Sequence, residues 1–347
     1  MTSQPIDTYR HLVARRLFWT IAATLMLGTI IVTDILIGPA FLNIFDVLAS
    51  LVLPQEASDP TVYIIVHAIR LPMTLMAILV GASLGIAGVQ MQTILGNPLA
   101  SPYTLGFSAA AGFGAAVVIL FGLQLPYIPE FTVPVAAFIT SALACMLVYG
   151  FAHIRGITAE IMILAGIATL FLFQSLQSLI QYLAAPEILQ EIIFWLFGSM
   201  LKATWFSVFV SGSILLVSVI MLVKNSWKLT ALRLGDDRAR SLGINVPRLR
   251  LHIFIIISLL TAGAVAFVGT IGFVGLVAPH IARMLVGEDQ RMLMPLSGVI
   301  GAIVMVGASI VSKLISPGAV VPIGIVTAVI GVPFLFALIL AGKKRHW

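Results

Sequence analysis

Long runs of apolar residues, separated by short polar segments, dominate the chain. Ten of these runs are long enough to cross a membrane as helices, because about 20 apolar residues span a hydrocarbon core roughly 30 Å thick. Their approximate bounds are 17–37, 62–95, 105–122, 131–152, 159–184, 204–223, 249–268, 272–286, 293–314 and 321–341. A shorter apolar stretch, 40–53, predicts an interfacial or re-entrant helix. The pattern predicts an all-α polytopic membrane protein in which residues 1–347 form one transmembrane domain.

The composition agrees with this prediction. Of the 347 residues, 60% are apolar and 9% are charged, which excludes a water-soluble globule and a disordered chain. The net charge of +6 is spread too thinly for a nucleic-acid-binding domain. The single cysteine, Cys145, lies in an apolar run, so neither an intrachain disulfide nor a cysteine-based metal site is expected. The first apolar run is too long for a secretory signal, and we expect it to be a retained helix.

The basic residues predict how the chain is oriented. Ten crossings place both termini on one side of the membrane, and in this scheme only Arg70, Lys202 and Lys313 of the 19 lysines and arginines fall toward the other side. Since positive charge favours the cytoplasmic side, both termini are expected to be cytoplasmic. The largest cytoplasmic connection, 224–250, is rich in basic residues and is the predicted docking site for a partner.

Several kinds of chemistry lack the residues they need. No GxxxxGK[ST] phosphate loop occurs, so the chain is expected to have no ATPase motor of its own, and we expect no catalytic residue, bound cofactor or metal. Ion-driven carriers usually place titratable groups at mid-membrane, whereas the acids here lie in loops or at helix ends, as Asp34 does at the end of the first span. An ion-coupled secondary transporter and a non-transporting scaffold remain as alternatives.

The fifth span carries a stripe of uncharged polar residues at i, i+3, i+4 and i+7. These are Gln174, Gln177, Ser178 and Gln181, which this spacing places on one helical face. The stripe has two interpretations: hydrogen bonds between helices, or the wall of a hydrated pathway along which a large polar cargo slides without being trapped. The spacing alone does not choose between them.

The basic connection contains a short segment, 234–247, that predicts a helix of about two turns. Asp236 or Asp237 suits the helix N-terminus as a cap and by its charge, while Gly243 suits a left-handed stop at the C-terminus. A rigid charged helix of this kind could transmit force between a soluble motor and a membrane bundle.

Glycines and prolines punctuate two further segments. Gly81 and Gly85 form a small-xxx-small face for close helix packing, and Pro98 prevents the second span from continuing into the third. In the segment 269–283, glycines recur every three residues, and Pro279 is expected to kink or end a helix.

These segments together resemble the FecCD-type permeases, which are the membrane subunits of bacterial importers for iron-siderophores, haem and cobalamin. The resemblance rests on Arg70-Leu71-Pro72 through Asn97-Pro98-Leu99, on Gly235 to Gly243, on Gly269 to Arg283, and on Pro322 to Ala328 with Gly331 to Phe334. It implies the type II ABC importer permease architecture, with ten helices per subunit, in the bacterial inner membrane. It also implies the partners: a second copy of the chain, two cytoplasmic ABC ATPases that use ATP and Mg, and a periplasmic substrate-binding protein.

The resemblance further implies roles for particular residues. The coupling helix that contacts the ATPase would comprise Gly235, Asp236, Asp237, Arg238, Arg240, Ser241, Leu242 and Gly243. The pathway would follow the homodimer axis, lined by the polar stripe, by Leu164 and Gly166 in the fifth span, and by Thr327 and Gly331 in the tenth.

The same resemblance assigns Arg70 and Lys313 to the periplasmic rim, where they would meet acidic residues of the binding protein. This chain departs from the family pattern at two nearby positions, with Met73 in place of a frequent second arginine and Val320 where an acidic residue is common. The docking chemistry on that rim is therefore expected to differ.

The function implied is that of the permease subunit of an ATP-driven importer for an iron chelate such as a siderophore or haem, or a similar metal-containing cofactor. Cobalamin, or an oxyanion such as molybdate, is the alternative cargo, since permeases for all of them share these motifs. Hydrolysis of ATP is expected in the separate partner subunit, so the chain itself is not expected to be an enzyme.

Overall fold

The computed structural model describes residues 4–38, 42–52, 59–315 and 319–341, which form helices, turns and short loops without a β-strand among them. In chain order the helices are α1 (Gln4–Leu36), α2 (Ile44–Val52), α3 (Pro60–Leu95), α4 (Phe107–Phe121), α5 (Thr132–Arg155), α6 (Ala159–Leu183), α7 (Pro186–Leu196), α8 (Trp205–Val223), α9 (Ser226–Leu232), α10 (Asp236–Ser241), α11 (Val246–Val268), α12 (Val274–Val286), α13 (Gln290–Ile315) and α14 (Ile323–Ala341). Helix α3 includes one π-helical segment, Ile65–Arg70.

Each of the ten predicted spans coincides with a helix. Within the described ranges, seven helices are long and apolar enough to cross a membrane: α1, α3, α5, α6, α8, α11 and α13. The shorter apolar helices α4, α12 and α14 account for the other three predicted spans. Helix α2 forms within the stretch 40–53, as predicted. The basic tail, 343–345, lies outside the described residues.

Local sequence signals explain where the helices start and stop. The Asp59 carboxylate accepts a hydrogen bond from the backbone N–H of Thr61 and caps α3, with Pro60 as its first residue. Gly96 ends α3 in the left-handed conformation, with φ of 59°, before Pro98 turns the chain toward α4. These signals divide an almost continuously apolar chain into separate helices.

Helix α3 lies at the centre of the bundle and packs against α11, α12 and α13. Gly81 faces Gly301 of α13, and Gly88 faces Gly275 of α12, so closely that a methyl group on Gly81 or Gly88 would collide with the carbonyl oxygen of its partner. Backbones that approach this closely gain van der Waals contact. In a membrane this contact drives helix association, because the lipid chains are as apolar as the helices and the hydrophobic effect does not favour association. The predicted small-residue packing face is therefore confirmed.

Pro279 does not end a helix, which was one of its two expected effects: α12 continues past it to Val286. Proline removes the N–H that the carbonyl of Gly275, four residues earlier, would otherwise accept from. That carbonyl lies against Gly88 of α3, so the turn around Pro279 stays packed within the bundle.

Helices α9 and α10 lie in the connection 224–250, and the end of the bundle that carries this connection is called the basic end below. The chain passes back and forth between this end and the opposite end. The last turn of α3 and the first turns of α11 and α13 lie at the basic end, as the contacts described next show.

Candidate functional site

Helix α10 occupies the predicted coupling segment. It runs from Asp236 to Ser241 between Gly235 and Gly243, whose φ angles of 101° and 79° lie where glycine is favoured. The predicted glycine stop is thus confirmed. Gly235, rather than an aspartate, is the N-cap residue and offers no side chain for capping, so the predicted aspartate cap is wrong.

Asp236 instead anchors α10 to the bundle. Its carboxylate accepts two hydrogen bonds, of 2.7 and 2.8 Å, from the guanidinium of Arg250 in α11. Arg250 is 5% exposed and also donates from Nε to the carbonyl oxygen of Ile94 at 2.8 Å, in the last turn of α3. A two-point pair of this kind fixes orientation as well as distance. One guanidinium therefore joins the coupling helix to both α11 and α3.

A second connection starts just before α10. Arg233 forms an ion pair with Glu288, and Glu288 lies 3.1 Å from Nε of Arg283 in α12. Arg283 in turn donates a hydrogen bond of 2.7 Å to the side-chain oxygen of Gln92 in α3. The chain of contacts runs from the coupling segment through α12 to the same end of α3.

A third connection passes through Gln290, the first residue of α13. Its side chain donates to the hydroxyl of Thr93 at 2.8 Å and accepts from Gln90 at 3.0 Å, while its backbone N–H donates to the hydroxyl of Thr230 in α9 at 3.1 Å. Gln90 and Gln290 are fully buried. All three connections meet on the last two turns of α3, so displacement of the coupling segment would move the central helix.

The other side of α10 faces outward. The exposed members of the predicted coupling set are Gly235, Asp237, Arg238, Arg240, Ser241, Leu242 and Gly243, whereas Ala239 is buried against the bundle. Leu242 is 54% exposed, an apolar side chain next to two guanidiniums. This outward side, termed the coupling face below, offers charge and an apolar contact to a partner.

A cavity of about 640 Å³ lies between the coupling segment and the ends of α3 and α12. Three arginines line it, Arg233, Arg250 and Arg283, and the carboxylates of Asp236 and Glu288 pair with them. Among the described residues, no group of three or more His, Cys, Asp or Glu could hold a metal ion. The cavity therefore surrounds the anchoring ion pairs.

The four residues of the polar stripe predicted on α6 differ in their exposure. Gln174 and Ser178 are exposed on the outer side of the helix, whereas Gln177 turns toward Gly112 of α4, and Gln181 is half-buried. The exposed row that contains the two polar residues consists of Leu164, Ile167, Phe171, Gln174, Ser178 and Tyr182, spaced three or four residues apart. This α6 face is apolar toward the basic end and more polar toward the other.

The remaining predicted pathway residues are buried inside the subunit. Gly166 lies against Leu105, Gly331 lies against Phe273, and Thr327 is 3% exposed. Glycine at these two positions allows the neighbouring side chain to approach the backbone, which is a packing role. The prediction that Gly166, Thr327 and Gly331 line a pathway does not fit this burial. On α14 the exposed row is instead Ile325, Val329, Val332, Phe336 and Leu340.

Residues 24–341 match the FecCD transport family. This chain is a member of the FecCD transport family.

Relatives of this FecCD-family chain have names that include their cargo. The Fe(3+)-citrate import system permease protein YfmD of Bacillus subtilis is 34% identical over 311 residues, which cover 89% of this chain and 90% of that protein. The vitamin B12 import system permease protein BtuC of Vibrio cholerae is 32% identical over 342 residues, covering 96% and 98%. A solved structure described as an inward-facing metal-chelate type ABC transporter has 32% identity and a TM-score of 0.82, covering 93% and 98%.

These comparisons confirm the predicted fold class of the FecCD-family chain. It is an all-α, multi-pass membrane permease of the ABC importer type. The expectation that this subunit is a permease rather than the motor agrees with its family.

In this FecCD-family subunit, Arg70 and Lys313 do not lie on an exposed rim. Arg70 is 3% exposed and donates to the carbonyl oxygens of Ile35 and Leu36 at 2.8 and 2.9 Å, at the end of α1. Lys313 donates to the carboxylate of Asp34 at 2.7 Å. Both cations hold the end of α1 against α3 and α13, and neither is exposed, whereas the resemblance had placed them on an exposed rim.

Asp34 lies in the last turn of α1, at the helix end where the sequence placed it. The residue is nevertheless fully buried, and its second carboxylate oxygen accepts a hydrogen bond from Thr74 at 2.5 Å. The sequence offered no signal for the pair, because Lys313 lies 279 residues further along the chain. A buried carboxylate with a lysine and a hydroxyl as partners meets the requirements of a structural ion pair.

Proposed function

We propose that this chain is the permease subunit of an ABC importer that carries an iron chelate, such as a siderophore or haem, across the bacterial inner membrane. Two separate ATPase subunits would hydrolyse the ATP, and a binding protein would deliver the cargo. The observation that carries the proposal is the coupling helix: α10 is exposed on one side and tied on the other to the central helix through Arg250. The names of the relatives support a metal-chelate cargo.

Cobalamin is the second candidate cargo, favoured by the similarity to BtuC over nearly the whole length of both chains. The iron chelate is preferred because one relative is named as an Fe(3+)-citrate permease and the similar solved structure is described as a metal-chelate type transporter. A visible absorption spectrum of the binding protein purified with its natural ligand would separate the two, since ferric siderophores, haem and cobalamins absorb at different wavelengths.

The basic end would face the cytoplasm, with both termini on that side, following the positive-inside rule. A second copy of the chain would cover the exposed apolar rows on α6 and α14. The pathway would then lie between the two copies, next to Gln174 and Ser178, whose neutral side chains bind a polar cargo too weakly to trap it.

The coupling mechanism follows from the contacts of α10. Closure of the ATPase dimer on ATP would push on the coupling face, and Asp236 would pass this displacement through Arg250 to the last turn of α3. Because Gly81 and Gly88 leave no space between α3 and its neighbours, α12 and α13 would move with it. The bundle would thereby switch the side of the membrane to which the pathway opens.

The central test uses proteoliposomes that contain the permease and its ATPase. In the triple variant Arg238→Ala/Arg240→Ala/Leu242→Ala, we expect loss of ATP-dependent uptake and of ATPase binding without loss of stability, because these side chains are exposed. The matched control, Arg155→Ala/Lys224→Ala, removes two exposed basic residues at the same end and should transport normally. Uptake by the triple variant at the wild-type rate would refute the role of the coupling face.

The same vesicles separate the rival functions. An ion-coupled carrier would accumulate cargo in response to an ion gradient without the ATPase, and a scaffold would show no uptake under either condition. Uptake that requires both ATP and the ATPase subunit is the expected result.

A variant of Asp236 tests the contact between α10 and the bundle rather than the contact with the ATPase. We expect Asp236→Asn to keep ATPase binding and ATP hydrolysis but to reduce uptake several-fold, since the neutral amide cannot hold Arg250 at two points. The exposed carboxylate of Glu160, at the same end of the bundle but outside the coupling segment, is replaced by its amide in the same way and serves as the control. Equal effects of the two substitutions would contradict the proposed path.

A further inference from the structure

A basic pocket of about 400 Å³ opens at the basic end, where the chain leaves α8 and where α11 begins. Its polar and aromatic lining consists of Asn225, Trp227, Lys228, Asn245, Arg248 and His252. Within the part of the chain that the structure describes, no carboxylate lines this pocket. The cationic side chains Lys228 and Arg248 thus face a shared space without an acidic partner, which favours a negatively charged ligand.

An apolar groove of about 290 Å³ lies between α5 and α11. The walls are made by Ala142, Met146 and Tyr149 of α5 and by Ile255 and Leu259 of α11, among others. The groove lies on the outside of the helix pair, where Ile255 is 52% exposed. In a membrane, such a groove lies next to the lipid chains.

The pocket and the groove follow one face of α11. Arg248 and His252 line the pocket, and Ile255 and Leu259 line the groove, at spacings of four, three and four residues. His252 and Ile255 are about one helical turn apart, so the charged pocket and the apolar groove follow each other along α11. This exposed row lies on α11, which is the most buried of the seven long helices: 72% of its apolar segment is inside the bundle.

We propose that an anionic phospholipid binds to this face of α11. Its phosphate lies in the basic pocket between Lys228 and Arg248, and one acyl chain lies in the groove between α5 and α11. Basic pockets at the cytoplasmic membrane boundary recognise anionic headgroups, and the exposed indole of Trp227 lies where tryptophan prefers the boundary between lipid and water. A zwitterionic lipid fits less well, because no carboxylate is present among the described lining residues to meet its ammonium group.

Binding of the phospholipid would also stabilise the position of the coupling segment. Leu242 and Gly243, at the C-terminal end of α10, line the same pocket as Lys228 and Arg248. The headgroup would therefore contact these two residues of the coupling face, while Asp237, Arg238 and Arg240 stay open to a partner. This inference rests on the proposed cytoplasmic position of the basic end and stands apart from the proposed cargo.

The test starts from the chain purified in detergent and stripped of lipid. Native mass spectrometry would follow titration with dioleoylphosphatidylglycerol or dioleoylphosphatidylcholine, and we expect one phosphatidylglycerol to bind at least tenfold more tightly than phosphatidylcholine. In Lys228→Gln/Arg248→Gln, this affinity should fall on the order of thirtyfold, as expected for two basic side chains near an anionic headgroup. The control Arg15→Gln/Arg291→Gln removes the same charge from exposed positions outside the pocket and should bind normally.

A second pair of variants tests the groove without changing any charge. Ala142→Phe places a ring in the groove and should weaken phosphatidylglycerol binding at least tenfold, whereas Leu147→Phe, on the same helix but outside the groove, should not. Glycerol 1-phosphate serves as a headgroup without chains and should bind at least tenfold more weakly than the lipid.

Three results would overturn the proposal. Equal binding of the two phospholipids would show that charge does not select the ligand. Full affinity for glycerol 1-phosphate, or for phosphatidylglycerol in Ala142→Phe, would show that the site takes a small anion and that the groove is not used. Unchanged phosphatidylglycerol binding in Lys228→Gln/Arg248→Gln would show that the two cations of the pocket do not hold the headgroup.

Discussion

Breaking the buried ion pair between Asp34 and Lys313 should cost more stability than replacing the whole pair. The Lys313 nitrogen lies 2.7 Å from the carboxylate, and the two side chains are 1% and 0% exposed, with the lysine given first. A single neutral substitution leaves the other charge buried without its partner, which costs about 3–5 kcal/mol. Replacing both charges removes both desolvation penalties, and such changes are often neutral.

We therefore expect Asp34→Asn and Lys313→Met each to lower the free energy of unfolding by about 3–5 kcal/mol. The double variant should be more stable than either single variant, within about 1 kcal/mol of the wild type. The new amide still offers Thr74 an oxygen, both charges of the pair are gone, and Arg70 keeps its hydrogen bonds to the carbonyl oxygens at the end of α1. Denaturant unfolding in detergent, followed by tryptophan fluorescence, measures all three values.

The exposed pair Asp289–Arg291, with a separation of 3.0 Å, is the matched control for this cycle. Burial acts to raise the pKa of Asp289, but hydrogen bonds from Arg291 outweigh it and hold that pKa below its usual value. Since Arg291 is largely exposed, the pair should contribute less than about 1 kcal/mol. The reasoning fails if the losses of the two buried single variants simply add in the double variant, or if they are no larger than in the control.

Three further outcomes follow from the packing. Gly88→Ala should lower the free energy of unfolding by about 1–3 kcal/mol because its methyl group meets a backbone carbonyl of α12, whereas Gly28→Ala, with open space around it, should not; thermal unfolding compares them. Gln290→Leu should cost about 1–3 kcal/mol for each buried polar partner that it leaves unsatisfied on α3, measured by denaturant unfolding. Ser178→Cys should give a disulfide-linked dimer on oxidation of membranes, and Leu216→Cys on α8 should not; gel mobility without reductant decides, and equal dimer yields would contradict the α6 interface.

Much of the fold could be predicted because its signals are local. A run of about 20 apolar residues is a property of one segment, and each of the ten predicted spans is a helix. The short coupling helix was predicted in the same way, from aspartates and a glycine close together in the sequence. The spacing of Gly81 and Gly85 predicted a packing face, but the sequence did not show that α13 packs against it.

The features that the sequence did not reveal concern pairs of distant residues. Arg70 and Lys313 looked like rim charges until the structure placed the end of α1 between them. The polar stripe on α6 looked continuous until α4 covered Gln177 but left Gln174 open. On α6, helical periodicity predicted a face but could not tell which neighbouring helix would cover part of it.

The amino-acid sequence by itself determined that this is a membrane bundle, where its helices run, and where its basic connection lies, since a membrane selects for length and apolarity along the chain. Only the tertiary structure decided which charges are buried anchors and which stay exposed. A buried charge needs a partner within hydrogen-bonding distance, and for Asp34 that partner is 279 residues away in sequence. The same rule turns Asp236 inward to Arg250 and leaves its neighbour Asp237 exposed.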